Sequence, residues 1–242
     1  MRIVFFGSSH GVPEPNRKCS AAMVSVGENN YFIDMGVQVI DGLITRGIPI
    51  TSVKGVFLTH MHGDHTNGLI SFLDLCSWYF KDTDPAVYIP GSVETVTAAA
   101  RGWLAVNGTE MRPFRFFEVN AGVIFDDGAL RVTAYRTKHI GISYAYLLEA
   151  EGKRVFFSGD MCHQGPAEDF PVEIFEKPVD LAICEAAHFS PVKYLPILEG
   201  QPVKKVCINH YSERFRQGMI EFKETRTDIP VVFASDNMEF NV

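Results

Sequence analysis

The chain has no CxxC pair, and its five cysteines (Cys19, Cys76, Cys162, Cys184 and Cys207) are scattered and odd in number. That pattern argues against a thiolate zinc knot or a disulfide framework and reads as reduced thiols in a cytoplasmic protein. Cys162 follows Asp160 by two residues, which leaves a functional role open, although packing is its simpler account. No run of Lys or Arg builds a basic stripe. "NRKC" and "VKK" are short and isolated, and 29 acidic against 22 basic residues give a net charge of −7. A phosphate backbone is therefore not the obvious partner, and nucleic acid is disfavoured. No stretch approaches the roughly 20 apolar residues of a membrane span. The apolar run in "MRIVFFGSSHG" is too short for a signal peptide. No low-complexity tract or linker divides the 242 residues, so 1–242 reads as one domain with room for a substantial core.

What the chain does have is an ordinary globular balance, 46% hydrophobic and 21% charged, and many short β-type runs. These are "RIVFF", "AAMVSV", "NYFID", "VKGVFLT", "AVYIP", "FRFFEV", "LRVTAYRT", "SYAYLLEA", "RVFFSG", "VDLAICEA", "KKVCINH" and "VVFAS". Val, Ile, Phe and Tyr favour pleated, half-buried surfaces, and Gly, Asp and Asn bound the runs. "EAEGKRV" reads as a hairpin turn. Helix-like stretches lie at about 37–46, 64–80, 92–105, 167–177, 190–199 and 212–225. Each half begins with strands in meander order and continues with strands alternating with helices. That order fits two sheets packed face to face with helices outside, an α/β arrangement, better than a pure βαβ repeat.

Histidine is scarce, eight in the whole chain, yet "LTHMHGDHTNGL" places His60, His62 and His65 around Asp64 within six positions. A loop does not need them to fold. The strand "VKGVFLT" should end near Thr59, and a helix should begin near Asp64 or His65, with Asp64 suited to the N-cap. The cluster then lies on a loop at the C-terminal edge of a sheet. Neutral imidazole and carboxylate are good ligands for zinc and similar divalent ions. Three further ionisable residues follow apolar runs: His139 in "RTKHIGISY", Asp160 in "VFFSGDMCH" and His210 in "VCINHYS". Each alone has a bland reading as a surface or turn residue, but their joint occurrence with HxHxDH favours a metal centre.

These motifs resemble the metallo-β-lactamase-fold hydrolases over essentially the whole chain, from "RIVFFGSSHGVP" through "NYFIDMG", "GVFLTHMHGDHTNGL", "FSGD" and "INHYS". Within that superfamily the chain is similar to the ribonuclease Z-like phosphodiesterases, including the small phosphonate-pathway phosphodiesterase. The resemblance implies a four-layer αβ/βα sandwich and two divalent metal ions, zinc first, with manganese or iron as alternatives. It implies that His60, His62 and His139 hold one ion, that Asp64, His65 and His210 hold the other, and that Asp160 bridges them beside a water or hydroxide. Asp34 in "FIDMG" resembles the family's buried structural aspartate, a support for the ligands.

Two ions together with Asp64, Asp160 and a hydroxide leave a residual positive charge, which suits a small, anionic phosphodiester or cyclic phosphate. It also tolerates a lactone, ester or thioester carbonyl. His188 in "LAICEAAHFSP" is the candidate general acid, oriented by Glu185 three residues before it. Tyr144 and His163 are weaker alternatives. His10 in "GSSHG" either reaches the substrate or is solvated. His139 and Asp160 are 21 positions apart, room for one hairpin and not for the arm that grips tRNA in one common type of ribonuclease Z. Homodimerisation and a non-catalytic metal-binding role stay open.

Overall fold

Alternation along the strands sorts their side chains onto two faces, and each face finds its own core. In the computed structural model, which describes residues 1–242, β1 (Arg2–Gly7) sends Ile3 and Phe5 into a central core and Val4 and Phe6 into an outer one. The first sheet adds β2 (Ala21–Val26), β3 (Asn29–Ile33), β4 (Val53–Phe57), β5 (Ala86–Ile89) and β6 (Arg115–Glu118). The second contains β7 (Gly122–Asp126), β8 (Arg131–Thr137), β9 (Ser143–Ala150), β10 (Lys153–Phe157), β11 (Leu181–Ala186), β12 (Val206–Tyr211) and β13 (Val231–Phe233). A last strand, β14 (Glu239–Asn241), returns to the first sheet beside β1. The orders are β14-β1-β2-β3-β4-β5-β6 and β13-β12-β11-β10-β9-β8-β7, seven strands each.

The central core draws on both sheets: Tyr31, Phe57 and Val24 meet Tyr146, Val155 and Cys207. Burying an aliphatic or aromatic side chain of this size contributes about 1.5–3 kcal/mol. The outer face of the first sheet carries α1 (Val39–Thr45), α2 (Gly63–Trp78) and α3 (Val93–Val106). That of the second carries α4 (Leu195–Leu198) and α5 (Arg216–Thr225). The result is the four-layer αβ/βα sandwich expected. Both sheets change from antiparallel to parallel pairing, at β3–β4 and at β10–β11. Parallel strands whose helices lie outside open their C-terminal ends along one rim, and the polar residues gather there.

Several expectations need correction. The stretch 167–177 is two short 3-10 turns, Pro166–Glu168 and Val172–Glu176, rather than a helix. Pro166 and Pro171 each open one turn, and Asp169 lies between them. Likewise 190–199 is a 3-10 turn, Pro191–Tyr194, running into the four-residue α4. The strands β7 and β14 were not anticipated. Both are edge strands; β14 has only three residues, and β7 is short and buries little, although its Ile124 and Phe125 pack against the central core.

Candidate metal centre

The loop after β4 is built from below by one buried carboxylate. Asp34 follows β3 with φ 61°, a left-handed conformation that Asp tolerates better than most residues. Its Oδ1 accepts the Thr59 amide at 2.7 Å, and the Thr59 hydroxyl lies 3.0 Å from both of its oxygens. Its Oδ2 lies 2.7 Å from His65 Nδ1. Thr59 Oγ1, donating to Asp34, can accept from His60 Nδ1 at 3.1 Å. This network engages Nδ1 of both histidines and leaves each Nε2 as the nitrogen that faces the cluster. Thr59 is a support that the sequence reading missed; its position directly before His60 was the available signal.

Helix α2 buries the stripe His65, Leu69, Phe72, Leu73 and Cys76, an i, i+4, i+7, i+8, i+11 pattern. His65 therefore enters the interior while Asp64, one residue earlier, turns to the mouth. Asp64 is not the N-cap: the helix starts at Gly63, the cap position is His62, and no side chain caps it. The Asp64 carboxylate turns instead to His210 Nε2, 3.1 Å away. Gly36 makes the close approach possible, because a Cβ there would fall 1.8 Å from the Asp64 carbonyl oxygen.

His60, His62, His139 and Asp160 bring their donor atoms within 4.8 Å of one another, and so do Asp64, His65 and His210. Asp160 touches both groups. Its Oδ2 lies 3.7 Å from His60 Nε2 and 3.6 Å from His139 Nε2, and its Oδ1 lies 3.5 Å from His65 Nε2 and 3.3 Å from His210 Nδ1. All seven residues expected as ligands thus converge. His139 and Asp160 follow β8 and β10 as expected. His210 lies inside β12 rather than after it, at φ 48°, where the β11–β12 register shifts. That bulge re-aims its ring.

Nitrogen faces nitrogen across the cluster: His60 Nε2 to His62 Nδ1 at 2.9 Å, His65 Nε2 to His210 Nε2 at 3.1 Å, and His139 Nε2 to His62 Nδ1 at 3.3 Å. The buried atoms His139 Nδ1, Asp160 Oδ1 and His210 Nδ1 have no hydrogen-bond partner. Converging lone pairs and orphaned acceptors fit divalent cations, and the N/O donor set suits zinc, manganese or iron. Burial, with the neighbouring histidines, pushes His60 down to about 2, so it stays neutral, the form that binds metal. Burial also lowers His139. Burial opposes the charged forms of Asp64 and Asp160, but the surrounding histidines hold both carboxyls well below the usual range. Burial likewise opposes a charge on His65, yet Asp34 and Asp160 raise it well above the ordinary imidazole value. The field that gathers a proton there is the field a cation would meet.

Around the rim the candidates separate. His188 Nε2 lies 3.8 Å from Asp160 Oδ2, and its ring is partly open to solvent. Its Nδ1 lies 2.8 Å from Glu185 Oε2. Tyr144 is excluded as an acid, because it is buried and its hydroxyl donates to the Val119 carbonyl at 2.9 Å. The exposed His163 ring stands 6.4 Å from that of His139. Both His10 nitrogens are used within their own loop, Nε2 beside Glu14 Oε1 at 3.1 Å and Nδ1 accepting from the Val12 amide at 3.4 Å. Glu14 in turn pairs with Arg17, which stacks on Tyr211 at 3.7 Å. His10 therefore folds the loop that lays Gly11 against Asp64. Cys162 is buried, its thiol beside Gln164 Oε1, which supports packing over chemistry.

Known proteins share this frame. Ribonuclease Z of Listeria innocua is 29% identical over 176 residues, covering 71% of this chain and 56% of that protein. The chain thus spans about half the length of the curated relatives it matches. The metallo-β-lactamase fold protein YhfI of Bacillus subtilis superposes with a TM-score of 0.78 at 16% identity, covering 99% of this chain and 98% of that one. A diphosphatase of the PhnP family gives a TM-score of 0.68 at 16% identity, with 100% and 97% covered. The fold is the metallo-β-lactamase fold. The expectation that nucleic acid is disfavoured as a partner finds no support among relatives that are ribonucleases. Residues 1–227 match the family described as Anti-Pycsar protein Apyc1, and the chain belongs to that family.

Proposed function

We propose that the protein is a metal-dependent hydrolase holding two divalent ions and acting on a small phosphodiester or cyclic phosphate. One observation carries the reading. Asp160 stands between two groups of metal-type donors, and the same carboxylate faces His188, whose far side is held by a buried glutamate. Bound divalent ions would supply the acidified water nucleophile and the positive charge that a phosphoryl oxygen meets. His60, His62 and His139 would hold one ion and Asp64, His65 and His210 the other, with Asp160 available to both.

The remaining work falls to the chain's own side chains. Hydrolysis of a diester breaks one P–O bond, and the departing alkoxide needs a proton. Glu185 fixes the His188 ring so that Nε2 points toward the centre. Burial disfavours the charged ring, but the bond to Glu185 outweighs it and raises His188 above the ordinary histidine value. His188 therefore holds its proton more firmly than an ordinary histidine and is placed to donate it to the leaving oxygen.

A second reading, RNA cleavage as in tRNA 3′ processing, is favoured by the ribonuclease Z relatives. The span from β9 to β10 is a single tight hairpin, so no arm projects between His139 and Asp160. The net charge of −7 adds no general attraction for a folded RNA. The deciding experiment offers the metal-reconstituted protein small cyclic and linear phosphodiesters, lactones, thioesters and a precursor tRNA. The expected result is fastest turnover of a small diester. Turnover of lactones or thioesters alone, or efficient release of a tRNA 3′ trailer with no small-diester activity, would overturn the proposal.

A further inference from the structure

We infer that Asp169 is a positioning residue for the metal group formed by His60, His62, His139 and Asp160, acting by locking together the two loops that carry His139 and Asp160. This rests on the two-ion reading above. The sequence shows nothing of it: Asp169 lies in a segment that reads as a helix and belongs to no motif. In the folded chain its Oδ2 accepts two backbone amides, that of Lys138 at 2.7 Å and that of Cys162 at 3.0 Å. Lys138 directly precedes His139, and Cys162 is two residues past Asp160. One oxygen atom therefore joins the ends of two loops that have no strand pairing to each other at these positions.

The Asp169 backbone closes the turn Pro166–Glu168, but its side chain caps no helix and forms no ion pair; the neighbouring pair, Lys138 with Glu168, is exposed. Its other oxygen, Oδ1, is buried without a partner. An unsatisfied buried carboxylate oxygen is costly, so the two bonds at Oδ2 must outweigh it for this arrangement to be held. The turn after Asp160 is pinned twice over. Glu185 Oε1 takes the Met161 amide at 2.7 Å from one side, and Asp169 takes the next amide from the other. Asp34 does the equivalent for the second group through Thr59 and His65. Each group thus has its own supporting carboxylate on a separate segment. One further tie, the Thr137 hydroxyl to the Asp160 carbonyl at 3.0 Å, would survive loss of Asp169. The effect should therefore be graded rather than complete.

The experiment compares the full-length parent with Asp169→Ala and Asp169→Asn, all stripped of metal and titrated with zinc by calorimetry, with circular dichroism as a check on folding. The parent should bind two ions. Asp169→Ala should weaken the ion at His60, His62 and His139 by about 10–100-fold, the usual cost of losing a ligand-supporting partner, and weaken the other, which shares only Asp160, by distinctly less. Asp169→Asn should keep most of the affinity, because an amide oxygen can accept the same two N–H groups. If the Ala variant does not fold, Asp169→Ser, too short to span both amides, takes its place. Hydrogen exchange of the metal-free proteins supplies the separate readout: the Lys138 and Cys162 amides should lose protection in the Ala variant alone. Equal weakening of both ions, no weakening, or unchanged exchange at both amides would overturn the role. A parent that binds no zinc would instead refute the two-ion reading, and the exchange result would still decide whether Asp169 locks the loops.

Discussion

His188 holds the Glu185 carboxylate at 2.8 Å through Nδ1 and faces Asp160 through Nε2 at 3.8 Å. An imidazole fixed at one nitrogen has a single free atom for proton transfer, and here that atom looks into the metal centre. Its importance should depend on how much the leaving group needs a proton. A nitrophenolate departs without help, whereas an alkoxide does not. His188→Ala should slow an alkyl diester by about 10²–10⁴-fold and the nitrophenyl analogue far less. Metal content should be unchanged. Paired rates on metal-loaded protein check this, and equal losses on both substrates would remove His188 from the acid role.

The pH dependence of the same step follows from the raised value of His188. A group raised in the folded state keeps its proton past the ordinary value of about 6.5 and gives it up only as pH climbs through the higher folded value. Its contribution to stability is likewise full below the ordinary value and is lost through the folded one. The rate on an alkyl diester should therefore hold past the ordinary histidine value and fall as pH climbs further. Glu185→Gln removes the main cause of the rise, so the alkaline limb should move to lower pH. A limb that stays in place in this variant would show that another group sets it.

Asp160 is the residue shared by both donor groups. Asp160→Ala should lose metal and activity together, and elemental analysis should fall from an expected two ions per chain. Acid should do the same by another route, since protons compete for the histidine nitrogens. Metal occupancy should begin to fall below about pH 6. Full metal content in the Asp160 variant, or undiminished occupancy at about pH 4, would contradict a shared, histidine-dominated centre.

The residues that make this centre were legible because ligands have a chemical identity and strand ends have a location. HxHxDH, His139, Asp160 and His210 could be found from residue type and from the apolar runs before them. Their supports were harder to read. Asp169 works through backbone amides 31 and 7 residues away, and no local pattern encodes such a contact. His210 looked like a residue past its strand because a bulge cannot be seen in a run of apolar letters. The helix expected at 167–177 failed because Pro171 divides it into two short turns, the first opened by Pro166. Of the edge strands, β7 and β14 escaped, whereas β6 and β13 were read from "FRFFEV" and "VVFAS". Asp34 was an exception among the supports, recognisable from its place after "YFI" by resemblance and not from its own chemistry.

Asp34 also permits a clean separation of backbone strain from ligand support. It occupies φ 61°, and its carboxylate serves the Thr59 amide, the Thr59 hydroxyl and His65 Nδ1, all in the buried interior. Asp34→Ala would place a residue with a Cβ but no polar group in the left-handed region and strand those donors without acceptors. At about 1–3 kcal/mol for each buried unsatisfied group, the loss should be several kcal/mol. Asp34→Asn keeps the favourable backbone, because Asn also tolerates that region. It can accept from Thr59 through its oxygen, but it then turns an N–H toward His65 Nδ1. That contact selects the opposite tautomer, with the proton moved to Nε2, where the metal should bind. Asp34→Asn should therefore remain close to the parent in melting temperature yet lose about 10–100-fold in affinity for the ion at Asp64, His65 and His210. Thermal unfolding of the metal-free proteins and zinc titration of the folded ones check the two halves separately. An Asn variant with parental zinc affinity would show that the tautomer of His65 is not set by Asp34.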